Sequence, residues 1–265
     1  MKSATALYVV SGNRDTFPST GNRPAKSDTA RCASICGACN LRELCVPAGL
    51  SAGEMEQLNQ IIHRKRPLKR GDHLYRTGDP LKSLYAIRTG FFKSSVLHED
   101  GREQVAGFHM MGELLGMDAI DSAKHMCGVV AIEDGEVCEI PFDEFEELGR
   151  ELPMLQQHFH RILSREIARD YGVMLLLGSM RAEERLAAFL LNLSKRFAAR
   201  GYSSSQFHLR MTREEIGSHL GLKLETVSRA FSHFQNEGIV AVQNKNIQIL
   251  DPERLHALMG QSAKH

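Results

Sequence analysis

The sequence predicts an α+β chain in which a cysteine-rich loop precedes a β-roll of jelly-roll type, one long helix and a C-terminal winged helix-turn-helix. Three observations carry that reading. From about Pro67 to Pro141, short apolar runs are broken by turn signals at Gly71-Asp72, Gly78-Asp79-Pro80, Thr89-Gly90, Asp100-Gly101, Gly112 and Asp134-Gly135. That spacing is how a roll of short strands reads. From Pro153 to Met180 the apolar period becomes helical for longer than a small domain usually needs. From Met211 to Gly238 two helical patterns meet at Gly221, a natural helix-ending glycine.

Composition sets the frame. With 265 residues, 42% apolar and 25% charged, the chain can bury the cores of about two domains. No run approaches the roughly 18 apolar residues of a membrane helix, and residues 1–31 lack a signal peptide's apolar block. We therefore expect a cytoplasmic protein with no membrane partner. In that reducing compartment, cysteines serve more often as metal ligands, redox thiols or buried apolar groups than as disulfides.

In chain order, residues 1–31 show no sustained period and read as a flexible arm. Residues 32–50 form a cysteine loop, with Cys32, Cys36, Cys39 and Cys45 supplying four of the six cysteines. Such density fits a disulfide framework, a zinc knot, an iron-sulfur site or a redox relay, and spacing alone does not choose among them. Residues 51–152 make the roll domain, opened by a short helix at Ser51 to Ile62 behind a Ser51/Glu54 capping box. Its expected strands include Ser83 to Ile87, Phe91 to Val96 and Val129 to Ile132.

Residues 153–180 form the long helix. His160, Leu163, Ile167, Asp170, Met174 and Leu177 recur at alternating steps of three and four, the seam of a helix pair. A homodimer along this seam is one reading, and packing against the chain's own roll is the other. Asp170 interrupts the stripe. Across a symmetric seam, two carboxylates about 6–8 Å apart repel by roughly 2–3 kcal/mol at an effective dielectric near 20.

Residues 181–265 make the winged domain. Thr212 and Glu215 form a capping box, and Ile239 to Val242 and Ile247 to Leu250 flank the turn of a hairpin. Between 181 and 250 stand ten basic and six acidic residues, although the whole chain carries only +1. This mild excess suits double-stranded DNA. On the second helix Val227, Phe231 and Phe234 should face the core, leaving Glu225, Ser228 and Arg229 on the outward face near the helix start. Arginine can take guanine bidentately, glutamate can accept from cytosine, and serine can meet either kind of group. A solvated face with a Glu225 to Arg229 ion pair is the bland alternative.

This order of parts resembles the CRP/FNR family of transcription regulators, and its FNR-like branch in particular. The strings that carry the likeness are Cys-x3-Cys-x2-Cys-x5-Cys at 32–45, Lys82 to Arg88, Cys138-Glu-Ile-Pro-Phe142, Ala182 to Phe189 and Glu225-Thr-Val-Ser-Arg229. The resemblance implies an oxygen-sensing [4Fe-4S] cluster held by Cys36, Cys39, Cys45 and Cys138, with Cys32 and Cys127 left out. Four thiolates would equally suit zinc. It also implies pairing of two chains on a palindrome with TTGAT-like half-sites, and contact with RNA polymerase through loops such as His98 to Gly101. Cyclic-nucleotide-binding relatives place an Arg and a Ser or Thr after the Gly-Glu turn to hold the phosphate. Here Gly112-Glu113 is followed instead by His125-Met126, so no cyclic nucleotide is expected. Haem-binding relatives exist, but the cysteine loop makes haem unnecessary. An enzyme is not expected, because Cys36-Gly-Ala-Cys39 lacks the βαβ setting of a thiol oxidoreductase and no P-loop or metalloprotease string occurs.

Overall fold

The computed structural model describes residues 36, 39–41, 43–62, 64–97 and 101–259. The expected arm, Cys32 and most of the loop 98–101 lie outside the described residues.

A cysteine-bearing series of turns leads into α1 (Ala52–Ile61), capped by Ser51, which accepts from the Glu54 N–H while Glu54 accepts from the Ser51 N–H. Eight strands follow: β1 (Arg64–Leu68), β2 (His73–Tyr75), β3 (Ser83–Thr89), β4 (Phe91–Leu97), β5 (Glu103–Met110), β6 (Leu114–Leu115), β7 (Gly128–Ala131) and β8 (Gly135–Pro141). They form two antiparallel sheets, ordered β1-β8-β3-β6 and β2-β7-β4-β5. Side-chain alternation then decides what each face touches.

On β3 and β8, Tyr85, Ile87 and Val137 turn inward to meet Phe92, Val129 and Ala131 of the second sheet. Leu84, Ala86, Cys138 and Ile140 turn outward and are covered by Cys36, Val46, Leu58, Leu155 and Ile162. On the second sheet the alternate residues Phe91, Val105, Phe108 and Met110 join a third core with the C-terminal domain. The molecule is therefore layered: cysteine turns and helices, sheet, sheet, C-terminal domain. Each fully buried leucine, such as Leu58, Leu84 and Leu155, contributes about 1.5–3 kcal/mol.

α2 (Phe142–Glu151) and α3 (Pro153–Ser179) close the first layer. At 27 residues, α3 is about 40 Å long. It buries Leu155 and Ile162 beside the cysteine turns and Leu176 in the C-terminal core. α4 (Ala182–Ala198) follows an extended break at Met180 and Arg181. Then come β9 (Gln206–His208), α5 (Arg213–Leu220), α6 (Leu224–Asn236), the hairpin β10 (Val240–Gln243) and β11 (Asn246–Ile249), and α7 (Pro252–Met259). Gly221 ends α5 at φ 62°, ψ 37°, and Thr212 caps its start. This is the expected winged helix-turn-helix, with β9 added to the wing sheet as a third strand.

Candidate functional site

The cysteine turns sit against the outer face of the first sheet. Cys36 donates its N–H to Asn59 Oδ1 of α1 at 2.9 Å, Cys39 N–H to the Cys36 carbonyl at 3.1 Å, and Cys45 N–H to the Leu41 carbonyl at 3.0 Å. Cys138 enters from β8, paired with Ala86 on one side and Lys65 on the other. All four thiols line one pocket, walled by Leu41, Val46, Leu58, Ile62, Ala86 and Ile140, with Arg88 at its margin. Among the described residues, no three His, Cys, Asp or Glu side chains are placed to hold a single metal ion.

Burial raises the Cys36 and Cys45 thiols to about 12, and neighbouring thiols add to the rise. Cys138 is raised chiefly by burial and then by Cys39, while Arg88 and Lys65 oppose it. As free thiols these groups keep their protons at neutral pH, and a metal would have to displace them. Four sulfur donors in an apolar pocket fit an iron-sulfur cluster, whose two-iron and four-iron forms each take four thiolates. Cys127 lies elsewhere, with its Sγ 3.4 Å from Asp118.

Sequence reasoning missed His158. It projects from α3, is 9% exposed, and its Nε2 lies 3.1 Å from the Cys45 carbonyl. Burial lowers its pKa, so the neutral ring can donate here. The helix that carries the seam is thus bonded directly to the cysteine turns. A helical heptad names only like-facing apolar residues, so a histidine on the opposite side gave no signal.

On α3, His160, Ile167, Asp170 and Met174 are exposed and Leu163 is half-buried. Tyr171 lies exposed beside them at 62%, with Ile167 at 52% and Met174 at 67%, so the described residues do not cover this stripe. Leu177 differs, because it packs against the C-terminal core. Partial desolvation raises the Asp170 pKa, with Arg169 opposing it.

At the position after the Gly-Glu turn, His125 is buried and stacks on Tyr75 with ring centroids 3.6 Å apart. Asp118 takes the Met126 N–H at 2.8 Å and lies 3.3 Å from His125 Nδ1. Glu113 is held by Arg196 and Arg200.

In the C-terminal domain Val227, Ala230, Phe231 and Phe234 of α6 are buried, as their spacing requires. Glu225 and Arg229 are exposed and Ser228 is half-buried on the other face. Among the described residues, neither Glu225 nor Arg229 has an ion-pair or hydrogen-bond partner, which leaves both side chains free for an outside partner. Arg213 of α5 lays its guanidinium 3.3 Å over the Phe231 ring and braces the two helices.

A helix-turn-helix with a polar outward face, mounted with its wing on a β-roll, defines a DNA-binding transcription regulator. Comparison with known proteins agrees. Residues 184–258 match the Crp-like helix-turn-helix domain, and residues 65–151 match the cyclic nucleotide-binding domain. The chain is 47% identical to the fumarate and nitrate reduction regulatory protein of Escherichia coli (strain K12) over 86% of its own length and 92% of the relative's. It is 46% identical to the transcriptional activator protein Anr of Pseudomonas protegens, over 86% of this chain and 94% of that one. Among solved structures, FixK2 from Bradyrhizobium japonicum superposes with a TM-score of 0.69 at 30% identity, covering 74% of this chain and 96% of that one. The chain belongs to the CRP/FNR family of transcription regulators. Among the described residues, no helix is long and apolar enough to cross a membrane.

Proposed function

We propose that this chain is an oxygen-responsive regulator in which Cys36, Cys39, Cys45 and Cys138 hold a [4Fe-4S] cluster. In this reading residues 32–50 form the ligand loop, 51–152 the sensor domain, 153–180 the dimerisation helix and 181–265 the DNA-reading domain. The observation that carries it is the common pocket, where three thiols from a loop of turns meet a fourth from the folded sheet. A bound cluster supplies oxygen-labile iron-sulfide bonding at this place. The four thiolates tie the loop to β8, and His158 hands that constraint to α3. Once the thiolates lose their common partner, the loop keeps only its hydrogen bonds and apolar packing, and α3 has a less firmly fixed neighbour.

Two chains pair along His160, Leu163, Ile167, Asp170 and Met174, while Leu177, expected in the same seam, packs on the C-terminal core instead. Their α6 helices then meet successive major grooves about 34–36 Å apart. Glu225, Ser228 and Arg229 read TTGAT-like half-sites. A monomer forfeits the second half-site, so a weaker dimer means weaker DNA binding. RNA polymerase is the further partner, reached through loops such as 98–101. The likeness to the fumarate and nitrate reduction regulatory protein and to Anr supports this reading.

The test is iron and labile-sulfide analysis of protein purified without air. About four of each per chain, with visible absorbance that air bleaches, is the expected result. A colourless protein with one zinc per chain, or none, overturns it in favour of a winged helix-turn-helix regulator with a structural zinc or a thiol redox switch.

Two substitutions probe the remaining parts. Arg229→Ala should weaken binding by about 1–3 kcal/mol and relax the preference at one base pair. Titration against single-base variants of the half-site checks this, and a loss equal on all sequences would assign Arg229 to phosphate. Asp170→Ala should tighten association of the cluster-free chain by roughly 30- to 150-fold, through removal of the carboxylate repulsion. Sedimentation reads this out, and a variant as monomeric as the parent removes Asp170 from the seam.

A further inference from the structure

Glu113, in the loop between β5 and β6, is 9% exposed, and three arginines close on it, one from α3, one from the last turn of α4 and one from the turn just past α4. Arg196 of α4 donates from Nη2 to Oε1 at 3.0 Å and to Oε2 at 2.7 Å, and from Nε to Oε1 at 3.1 Å. Arg200, a turn further on, donates from Nη2 to Oε1 at 2.7 Å. Arg169 of α3 stands 3.7 Å from Oε2 and 2.9 Å from Glu166. The guanidiniums also grip the roll's backbone, Arg196 at the Phe108 carbonyl (2.7 Å) and Arg200 at the Met111 carbonyl (2.6 Å). Burial alone would raise the Glu113 pKa, but Arg196, Arg169 and Arg200 overcome it and hold the group at about 2.

The place of this knot matters more than its strength. α4 leaves α3 at the extended break of Met180 and Arg181, and Arg196 lies in its last turn. The knot is therefore about 20 Å from the elbow. A rod hinged at one end is aimed by whatever holds the other. α5, next in the chain, is docked separately: Ser218 Oγ accepts the Val105 N–H at 2.9 Å, and Lys93 pairs with Glu215 at 3.3 Å.

We propose that Glu113 is a positioning residue for DNA reading, fixing the angle of α4 about the elbow and so the aim of the α5–α6 pair relative to the roll and α3. Without its charge, three guanidiniums face one another with only Glu166 to offset them, and their repulsion drives the far end of α4 away. The loss is thus one of aim as well as of contact.

The experiment compares Glu113→Gln and Glu113→Asp in the full chain, by amide hydrogen exchange and by binding to a duplex with two inverted TTGAT half-sites. Glu113→Gln should exchange roughly tenfold faster in the last turn of α4, keep the parent's protection in β3 and β8, and bind the duplex roughly tenfold more weakly. Glu113→Asp, which keeps the charge, should recover most of both. The double variant Glu113→Gln/Arg196→Gln should lose less than the sum of the singles. Parent-like DNA affinity in Glu113→Gln overturns the proposal, as does a loss of protection spread evenly over the sheets. Should Glu113→Gln not fold, Arg200→Gln leaves the carboxylate partnered and should still weaken binding about threefold, with parent affinity again overturning the idea. A parent that ignores this duplex counts against the half-site reading rather than the knot, which the exchange pattern then decides.

Discussion

Replacing Cys138 with serine should abolish stable loading of iron and sulfide while leaving the fold intact. Cys138 is the one ligand of the proposed set that stands on a sheet, locked between Ala86 of β3 and Lys65 of β1. The other three share a run of turns, bonded to α1 through Cys36 and Asn59 and to α3 through Cys45 and His158, and packed on both helices through Val46 and Leu50. Serine keeps the Cβ and nearly the volume, but its hydroxyl enters an apolar wall at a position 9% exposed, so the expected cost in stability is about 1–3 kcal/mol. The hydroxyl is a poor ligand for iron in sulfide clusters. Iron and sulfide should fall to background and visible absorbance should vanish, while the metal-free protein still unfolds cooperatively at a thermal midpoint a few degrees lower. Cys127→Ser is the control. It removes a thiol that sits by Asp118 outside the pocket, and should load as the parent does. Full loading of Cys138→Ser would place the fourth ligand elsewhere.

Gly217→Ala should be the most damaging conservative change in the reading domain. A Cβ at Gly217 would stand 2.6 Å from the Leu222 carbonyl oxygen, and Leu222 already donates its N–H to the Gly217 carbonyl at 2.8 Å. The obstacle is backbone, so relief requires moving the whole turn Gly221-Leu222-Lys223 and with it the start of α6. We expect a loss of about 1–3 kcal/mol in stability. DNA affinity should fall beyond what unfolding explains, because Glu225, Ser228 and Arg229 ride on the displaced end. Gly149→Ala in α2 is the contrast, with nothing within 4 Å of the added methyl. There the gain in helix propensity should stabilise the chain by about 0.5–1 kcal/mol. Thermal unfolding of both variants reads the difference, and a harmless Gly217→Ala would show that the turn can yield.

What could be read in the sequence was whatever local chemistry dictates. The Ser51/Glu54 and Thr212/Glu215 boxes, the left-handed Gly221 and the 3.6-residue period of α3 and α6 all act within a few residues, and each appears where its pattern placed it. β1 was not legible, because Arg64-Lys-Arg-Pro-Leu68 has no apolar alternation and pairs only because β8 offers an edge. α2 was hidden behind the strand it abuts, although Phe145 and Leu148 at three-residue spacing are its buried stripe. α7 carried an overlooked signal in Asp251-Pro252, a capping acid before a first-turn proline. In the site, the pocket's four thiols came from likeness to a family, since fifteen sets of four are possible from six cysteines. The bond of His158 to Cys45 and the three arginines on Glu113 join residues more than fifty positions apart, where no spacing rule reaches.

The layering also governs how the molecule can be dissected. Phe91, Val105, Phe108, Met110 and Ile132 are buried in one core with Leu186, Phe189, Ile216 and other side chains of the C-terminal domain. A fragment cut at the elbow would bare a broad oily plate on one piece and its mate on the other, and such plates clump in water. The two halves are thus one cooperative body under heat or denaturant, and work on either in isolation calls for polar replacements across that plate.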